Sequence, residues 1–449
     1  MSESINPYLR QYDLKVDEEK EMDIAYGREY KETHNVTTFK NASTIKTDTR
    51  LLKLYKTILD EAIMENATDI QISDWGDYGL VRMRMGSKMI PYRLIHKYAV
   101  ESLILVFRDK AGINPETVRT SNIDGSIEYE YVAPNGDKTK LDTRLAFSPT
   151  VRGSMVDIRV LYPARLDKSI DELGLADSVA HTYKQAIKST EGLIINSGPT
   201  GSGKTTSQMT GIKQILMDSE FTKNIMTIEN PVEYRMEGII QSSVNPLQGY
   251  DFPTALKTIL RQDPNVILVG EINDTETATT AIRAASSGHL VFTTVHANNV
   301  LEVPNALNQL GVSDRELGNS LRMIIYQTLK DRLCPHCREE TFLFPKHKQW
   351  MDSKLLGQPE LATYYKAHEG GCEHCNHKGY LGRVMLNEMV ESNYVFRIIK
   401  EKHGRNIDAI KTELLNTTGA NYYPLEYDVY RHLKVGNISF ADATSMVGK

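Results

Sequence analysis

GLIINSGPTGSGKTT, positions 192–206, sets a short continuous apolar run directly before a glycine-rich loop that ends in Lys-Thr. The run reads as a strand buried on both faces, and TTSQMTGIKQILMDS (205–219) reads as the helix that follows. Between them GPTGSGKT (198–205) fits the pattern G-x-x-x-x-G-K-[ST] in its required setting of strand, loop and helix. Glycines let the backbone curl so that successive N–H groups point inward at phosphate oxygens, and the helix N-terminus adds partial positive charge. Gly198, Pro199, Thr200, Gly201, Ser202, Gly203, Lys204, Thr205 and Thr206 are therefore the candidate cradle for ATP. Lys204 would reach the β- and γ-phosphates, and Thr205 would hold Mg²⁺.

Working outward, NIMTIE (224–229), NVILVGE (265–271) and HLVFTTV (289–295) are further short apolar strands separated by helical segments. That alternation predicts an α/β domain with a parallel sheet covered on both faces, from about residue 170 onward. Phosphoryl transfer also needs a carboxylate near the metal and the attacking water. Glu271, at the end of NVILVGE, falls where such a sheet would put it, at the carboxyl edge beside the phosphate loop.

Upstream the pattern is different. Leu51, Leu52, Tyr55, Ile58, Leu59, Ala62 and Ile63 recur at helical spacing, predicting a helix that ends near Asn66. Alternation in TDIQIS, LVRMRM, SIEYEYV, TKLDTRLAF and VDIRVLY, with a PNGD turn at 134–137, predicts an antiparallel sheet. Residues 49–165 thus form an α+β module, 170–449 a second domain, and 1–48 a polar tail or docking segment. The net charge of −5 over 449 residues gives no basic excess, so nucleic acid is not an expected partner. No apolar run approaches the roughly 18 residues of a membrane span, and the polar, acidic start carries no leader, which points to the cytoplasm.

Four motifs in order carry a family resemblance: GPTGSGKT, TIENPVE (227–233), LRQDPNVILVGE (260–271) and GHLVFTTVH (288–296). With them the chain resembles the secretion ATPases of type II secretion and type IV pilus assembly. TDIQISDWGDYGLVRMRMGS (68–87) and DTRLAFSPTVRGSMVDIRVLYP (142–163) are similar to that family's N-terminal module, and QTLKDRLCPHC (327–337) with GCEHCNHKGYLGR (371–383) to the tetracysteine segment of its assembly branch. The resemblance implies a RecA-like motor domain behind a PAS-like module, a homohexameric ring, and work at an inner-membrane platform protein on the cytoplasmic face. It implies ATP between motor and module, with Arg144 and Arg159 approaching the nucleotide. Glu229 and Glu233 map to the acidic box, with Glu229 expected to position or deprotonate the attacking water. His289 and His296 map to the histidine box, where they would sense the γ-phosphate or relay the ring's state. Three positions depart from the family pattern: Asn230 for Asp, Asn273 for Arg and Gln71 for His. The 45 or so residues before the first helix are few for the extra docking domain of many assembly members.

All four cysteines lie in two Cys-x-x-Cys pairs, Cys334/Cys337 and Cys372/Cys375, with 34 residues between the pairs. A reducing cytoplasm disfavours disulfides, and a thioredoxin-like centre needs only one pair. Four thiolates complete a tetrahedral Zn²⁺ site, which with every position filled is structural, although His336, His374 and His377 stand close enough in sequence to substitute. The expectation is a small zinc subdomain over 330–385, followed by a helical C-terminal region.

Three other readings remain: a nucleic-acid translocase of the RecA-like class, a zinc-stabilised platform without turnover, and, within the family, a retraction or type IV secretion motor. By the resemblance the cysteine pairs favour assembly, since the family's retraction branch usually lacks them.

Overall fold

Alternating side chains decide the first of the two units. The computed structural model describes residues 9, 12, 14–16, 49–86, 88–113, 123–133, 135–162, 168–245, 249–342, 344–359, 361 and 363–447. The chain divides into two compact units, Met1–Pro163 and Ala164–Lys449. Pro134 of the PNGD turn and Pro163 lie outside the described residues, as does most of the segment read as a tail.

The first unit holds strands β1 (Lys15–Val16), β2 (Asp69–Asp74), β3 (Tyr78–Met85), β4 (Lys88–His96), β5 (Ile123–Val132), β6 (Lys138–Thr150) and β7 (Gly153–Leu161), in the order β1-β4-β3-β2-β7-β6-β5. One face carries Ile70, Ile72, Val81, Met83, Val156 and Ile158, sealed by helices Thr49–Met64 and Lys97–Lys110 through Leu51, Ile58, Leu103 and Phe107. The other carries charge in rows, as the two-residue strand period requires. Arg144 and Arg159 are direct Cα partners across β6 and β7. Arg159 Nε and Arg84 Nε each donate to Asp69, both at 3.0 Å, and Gln71 Nε2 donates to Asp157 Oδ1 at 2.8 Å. The first 48 residues are not uniformly a polar tail. Lys15–Val16 pairs in parallel with β4, and Leu9 is buried among Tyr78, Leu80 and Leu94. The cause is that Leu9 and Leu14 find an apolar patch on the sheet, which composition alone does not show.

The second unit is built on β8 (Gly192–Ser197), β9 (Ile225–Glu229), β10 (Ile240–Ser243), β11 (Val266–Val269), β12 (Leu290–Val295), β13 (Leu321–Leu333), β16 (Tyr380–Glu391) and β17 (Tyr422–Tyr423). Their order is β10-β9-β11-β12-β8-β13-β16-β17. The strands from β8 to β13 run parallel, with every residue of β8, β9, β11 and β12 buried. The expected parallel sheet then continues into two antiparallel strands, β16 on β13 and β17 on β16. Strands β14 (Glu339–Phe342) and β15 (Thr363–Lys366) make a separate pair between the two cysteine motifs. This insert is not closed on itself. Met351, Leu355 and Tyr364 share one core with Val429, Leu433 and Ile438 of the C-terminal region.

Glu388 on β16 ties that region down. It accepts hydrogen bonds from Tyr422 Oη at 2.7 Å and from the N–H of Val300 at 3.1 Å. Burial pushes its carboxyl up to about 7, against those two bonds. A carboxyl whose folded value lies above its unfolded one contributes stability that is complete below the ordinary 4.5 and is lost as pH rises through about 7. Relative to Glu388→Gln, the native chain is therefore expected to lose about 3 kcal/mol between roughly pH 4 and pH 8. Urea unfolding of both proteins across that range reads the difference, and parallel stability curves would refute it.

Candidate functional site: a phosphate loop and a cysteine cluster

The loop leaves the carboxyl end of β8, which lies between β12 and β13, and the carboxyl edge of a parallel sheet is the usual place for a ligand crevice. Its first glycine is obligatory. Gly198 has φ +134°, and a Cβ there would lie 2.1 Å from the carbonyl oxygen of Gln327. Gly203, at φ +89°, turns the chain into the helix Lys204–Asp218. Lys204 Nζ donates to the carbonyls of Gly198 at 2.8 Å and Pro199 at 2.9 Å. Burial lowers its ammonium from the ordinary lysine value, opposed by the charges of Glu233 and Glu271. Two carboxylates, one in the turn after β9 and one just past β11, thus act on the one lysine of the loop.

Glu271 follows β11, two residues beyond Val269. Its turn is held by Thr294 Oγ1, which donates to the carbonyl of Gly270 at 2.7 Å, and by the N–H of Ile272, which donates to the carbonyl of Thr294 at 3.1 Å. His296, one residue past β12, places Nε2 3.9 Å from Glu271 Oε2. With Gly198, Pro199, Asn298, Glu302 and Tyr326 it lines a cleft of about 530 Å³ beside the loop.

Glu229 ends β9 and is 4% exposed. Its carboxylate accepts from Thr227 Oγ1 at 2.7 Å and Gln241 Nε2 at 3.2 Å, and from the backbone N–H of Glu233. Burial raises its pKa, and those donors and the nearby Glu233 charge only partly offset one another. Glu229 so pins the turn, with its cis Asn230–Pro231 bond, that presents Glu233.

His289 does not join this group. It precedes β12, and its backbone carbonyl accepts from Gly192 at the start of β8 while Nδ1 lies 3.1 Å from the carbonyl of Ala284. The phosphate loop leaves the other end of β8. A strand of six residues separates the two edges, roughly 20 Å at 3.3 Å per residue. The two histidines of GHLVFTTVH therefore occupy opposite edges of the sheet, because each strand residue between them is extended.

Arg144 and Arg159 belong to the first unit, in the charged rows described above. Thr227, Gln241 and Thr294 were not singled out from the sequence. Each is a polar residue in or beside an apolar strand, a position where burial demands a partner, and that is the signal by which such residues can be found.

The four cysteines converge. Their Sγ atoms all lie within 4.8 Å of one another and form, among the described residues, a group able to hold a metal ion. Separations are 3.8 Å for Cys334–Cys372, 3.9 Å for Cys337–Cys375 and 3.8 Å for Cys372–Cys375. Sulfurs on a tetrahedron with metal bonds of ~2.3 Å stand about 3.8 Å apart, so the set fits. Cys375 Sγ accepts from the N–H groups of Cys372 at 3.1 Å and Gly379 at 3.2 Å, as a thiolate ligand does. His336 and His374 are not in the group and stack on each other, centroids 4.1 Å apart.

A phosphate loop at the carboxyl edge of a parallel sheet, with the charges of two carboxylates acting on its lysine, defines a P-loop nucleotide-binding protein of the α/β class. The chain belongs to the Type II/IV secretion system protein family, whose profile matches residues 44–421. It is 35% identical over 380 residues to the type IV pilus assembly ATPase PilB of Pseudomonas aeruginosa, 83% of this chain and 63% of that protein. It is 35% identical over 340 residues to PilB of Thermus thermophilus, 75% of this chain and 37% of that protein. Against the putative type II secretion system protein E of Escherichia coli the identity is 34% over 340 residues, 76% and 66% of the two chains. The chain thus spans less than two thirds of each of these relatives. Among solved structures, the Legionella pneumophila ATPase DotB matches with TM-score 0.62 at 19% identity, over 89% of this chain and 94% of that one. The pilus retraction motor PilT with bound ADP matches with TM-score 0.58 at 24% identity, over 88% and 97%. At these identities the likeness is one of fold. No helix among the described residues is long and apolar enough to cross a membrane.

Proposed function

We propose that the chain is an ATP hydrolase that powers assembly of a type IV pilus or a type II secretion pseudopilus. The observation that carries the reading is Lys204, half-buried, hydrogen-bonded to the loop carbonyls of Gly198 and Pro199 and acted on by the charges of Glu233 and Glu271. One cation and two carboxylates at the carboxyl edge of a parallel sheet are what in-line attack of water on a γ-phosphoryl group requires. The backbone N–H groups of residues 200–205, beyond Pro199, and the Lys204 ammonium bind and orient the phosphates. Thr205 would hold Mg²⁺, which neutralises charge on the β- and γ-oxygens when bound. Glu271 and Glu233 orient the attacking water, with His296 beside Glu271 as the γ-phosphate sensor. Glu229, for which the resemblance implies the water-positioning role, is buried and accepts from Thr227, Gln241 and the backbone N–H of Glu233, and serves as the anchor of the Glu233 turn.

Arg144 and Arg159 supply positive charge to the transferred phosphate, the role that the resemblance implies. The working particle is a homohexamer, placed at the cytoplasmic face of the inner membrane by a platform protein. The four cysteines hold a structural Zn²⁺, because a site with four protein sulfurs leaves no open position for chemistry.

The full chain is expected to hydrolyse ATP only with Mg²⁺ present. In Arg144→Ala, ATP binding should stay within about twofold and turnover should fall by roughly 10³. Unchanged turnover would remove the arginine role. Stimulation of hydrolysis by single-stranded DNA would move the chain to the translocase class.

A further inference from the structure

Strand β13 carries Gln327 in the middle of LRMIIYQTL, a stretch otherwise dominated by apolar side chains, and the residue is fully buried. Its amide is engaged at both ends. Oε1 accepts from Asn196 Nδ2 of β8 at 3.0 Å, and Nε2 donates to the carbonyl of Ser202, inside the phosphate loop, also at 3.0 Å. Its own backbone carbonyl is the atom against which Gly198 packs. Gln327 therefore touches the loop near its beginning and near its end.

The contact with Ser202 has a geometric consequence. A trans peptide unit is planar, with its C=O and N–H pointing in opposite directions. Drawing the Ser202 carbonyl inward onto Gln327 turns the N–H of Gly203 the other way, toward the mouth of the loop where phosphate oxygens are bound. Gly203 leaves room for this, since a Cβ there would stand only 3.3 Å from Gln327 Nε2.

The same residue looks outward to the C-terminal region. Gln327 is the direct Cα partner of Asn387 on β16. Asn387 donates from its backbone N–H and from Nδ2 to Asp428 Oδ2, both at 2.8 Å. Asp428, fully buried, also accepts at Oδ1 from Arg431 Nε at 2.6 Å and Tyr423 Oη at 3.1 Å. Arg431 then reaches the carbonyl of Gly174 at 2.9 Å. Asn387 Oδ1 is buried with no donor among the described residues. A buried polar row that is only partly satisfied can settle in more than one arrangement.

We propose that Gln327 is a positioning residue for the phosphate loop, aiming the Gly203 N–H at the phosphates, and that Asn387 and Asp428 make this aim depend on the placement of the C-terminal helix Leu425–Lys434. The proposal rests on the loop being a nucleotide site. It adds a lever by which whatever displaces that helix changes nucleotide affinity without touching the nucleotide.

The test uses the full chain, with ATP dissociation constants from calorimetry and melting temperatures measured in parallel. Wild type should bind ATP, and if it does not, the nucleotide reading itself fails. Gln327→Met keeps the volume and removes both amide functions; it is expected to weaken ATP binding by about tenfold. A purely structural residue would lower the melting temperature and leave the dissociation constant of the folded protein in place, which would overturn the proposal. Asp428→Asn should weaken binding in the same direction, and with Gln327→Met it should be less than additive. Full additivity would sever the C-terminal link. If Gln327→Met does not fold, Gln327→Asn decides: it keeps the amide one methylene short of Ser202, and affinity within twofold of wild type would refute the role.

Discussion

Replacing Lys204 with alanine is expected to abolish ATP turnover, by roughly 10³ or more, and to weaken ATP binding about a hundredfold. Two effects add. The ammonium is the loop's own cation, and its removal leaves Glu233 and Glu271 facing the phosphates without a countercharge between them. Loss of its hydrogen bonds also frees the carbonyls of Gly198 and Pro199, so part of the curl must find other donors. The fold should be spared, because β8 and the helix after it are held by buried apolar residues such as Ile194, Ile195, Met209 and Ile212. Calorimetric ATP binding and phosphate release check both numbers. Turnover within tenfold of wild type, with an unchanged melting temperature, would place the chemistry elsewhere.

The second large effect is expected at the cysteines. Cys334→Ser should reduce bound zinc from one per chain to almost none and destabilise the C-terminal part of the second unit by ~3 kcal/mol or more, on the scale of losing a native cross-link. Cys334 is fully buried at the end of β13, and its N–H donates to the carbonyl of Gly379 at 3.0 Å, just before β16 begins. The cluster therefore clips together the open ends of two paired strands. It also guards the turn after the helix Leu425–Lys434, since Arg338, next to Cys337, donates to the carbonyls of Val435 at 2.7 Å and Gly436 at 2.6 Å. Metal analysis together with hydrogen exchange over 333–384 reads the outcome. Native protection in a protein free of metal would refute the structural role.

Much of this was legible in the residues. GLIINS, NIMTIE, NVILVGE and HLVFTTV appear as β8, β9, β11 and β12 because a strand buried on both faces must be apolar throughout. The loop was legible because its glycines and lysine answer to local backbone geometry. What was hidden is what depends on pairing across long separations. That β16 would extend the sheet, that the insert between the cysteine pairs would share a core with the C-terminal helices, and that Leu9 would be buried are all tertiary outcomes. The histidine pair shows the same limit. His289 and His296 are seven positions apart in one motif, and only the direction of β12 reveals that one faces the phosphate loop while the other stands at the far edge.

The pairing of β13 with β16 bears on how the chain can be made. Forty-six residues separate the end of one strand from the start of the other, and Asp428 arrives later still. At ~5–20 residues per second, a ribosome that has finished β13 needs roughly 3 to 12 s to deliver the whole of β16 and roughly 5 to 19 s to reach Asp428. During that interval β13 presents an open edge, and Gln327 has no partner strand on its outer side. Contacts of such long sequence separation form slowly. Newly made chains should thus pass through a stage in which the loop exists but its support does not, which is the stage most exposed to strand-edge aggregation and to chaperone capture.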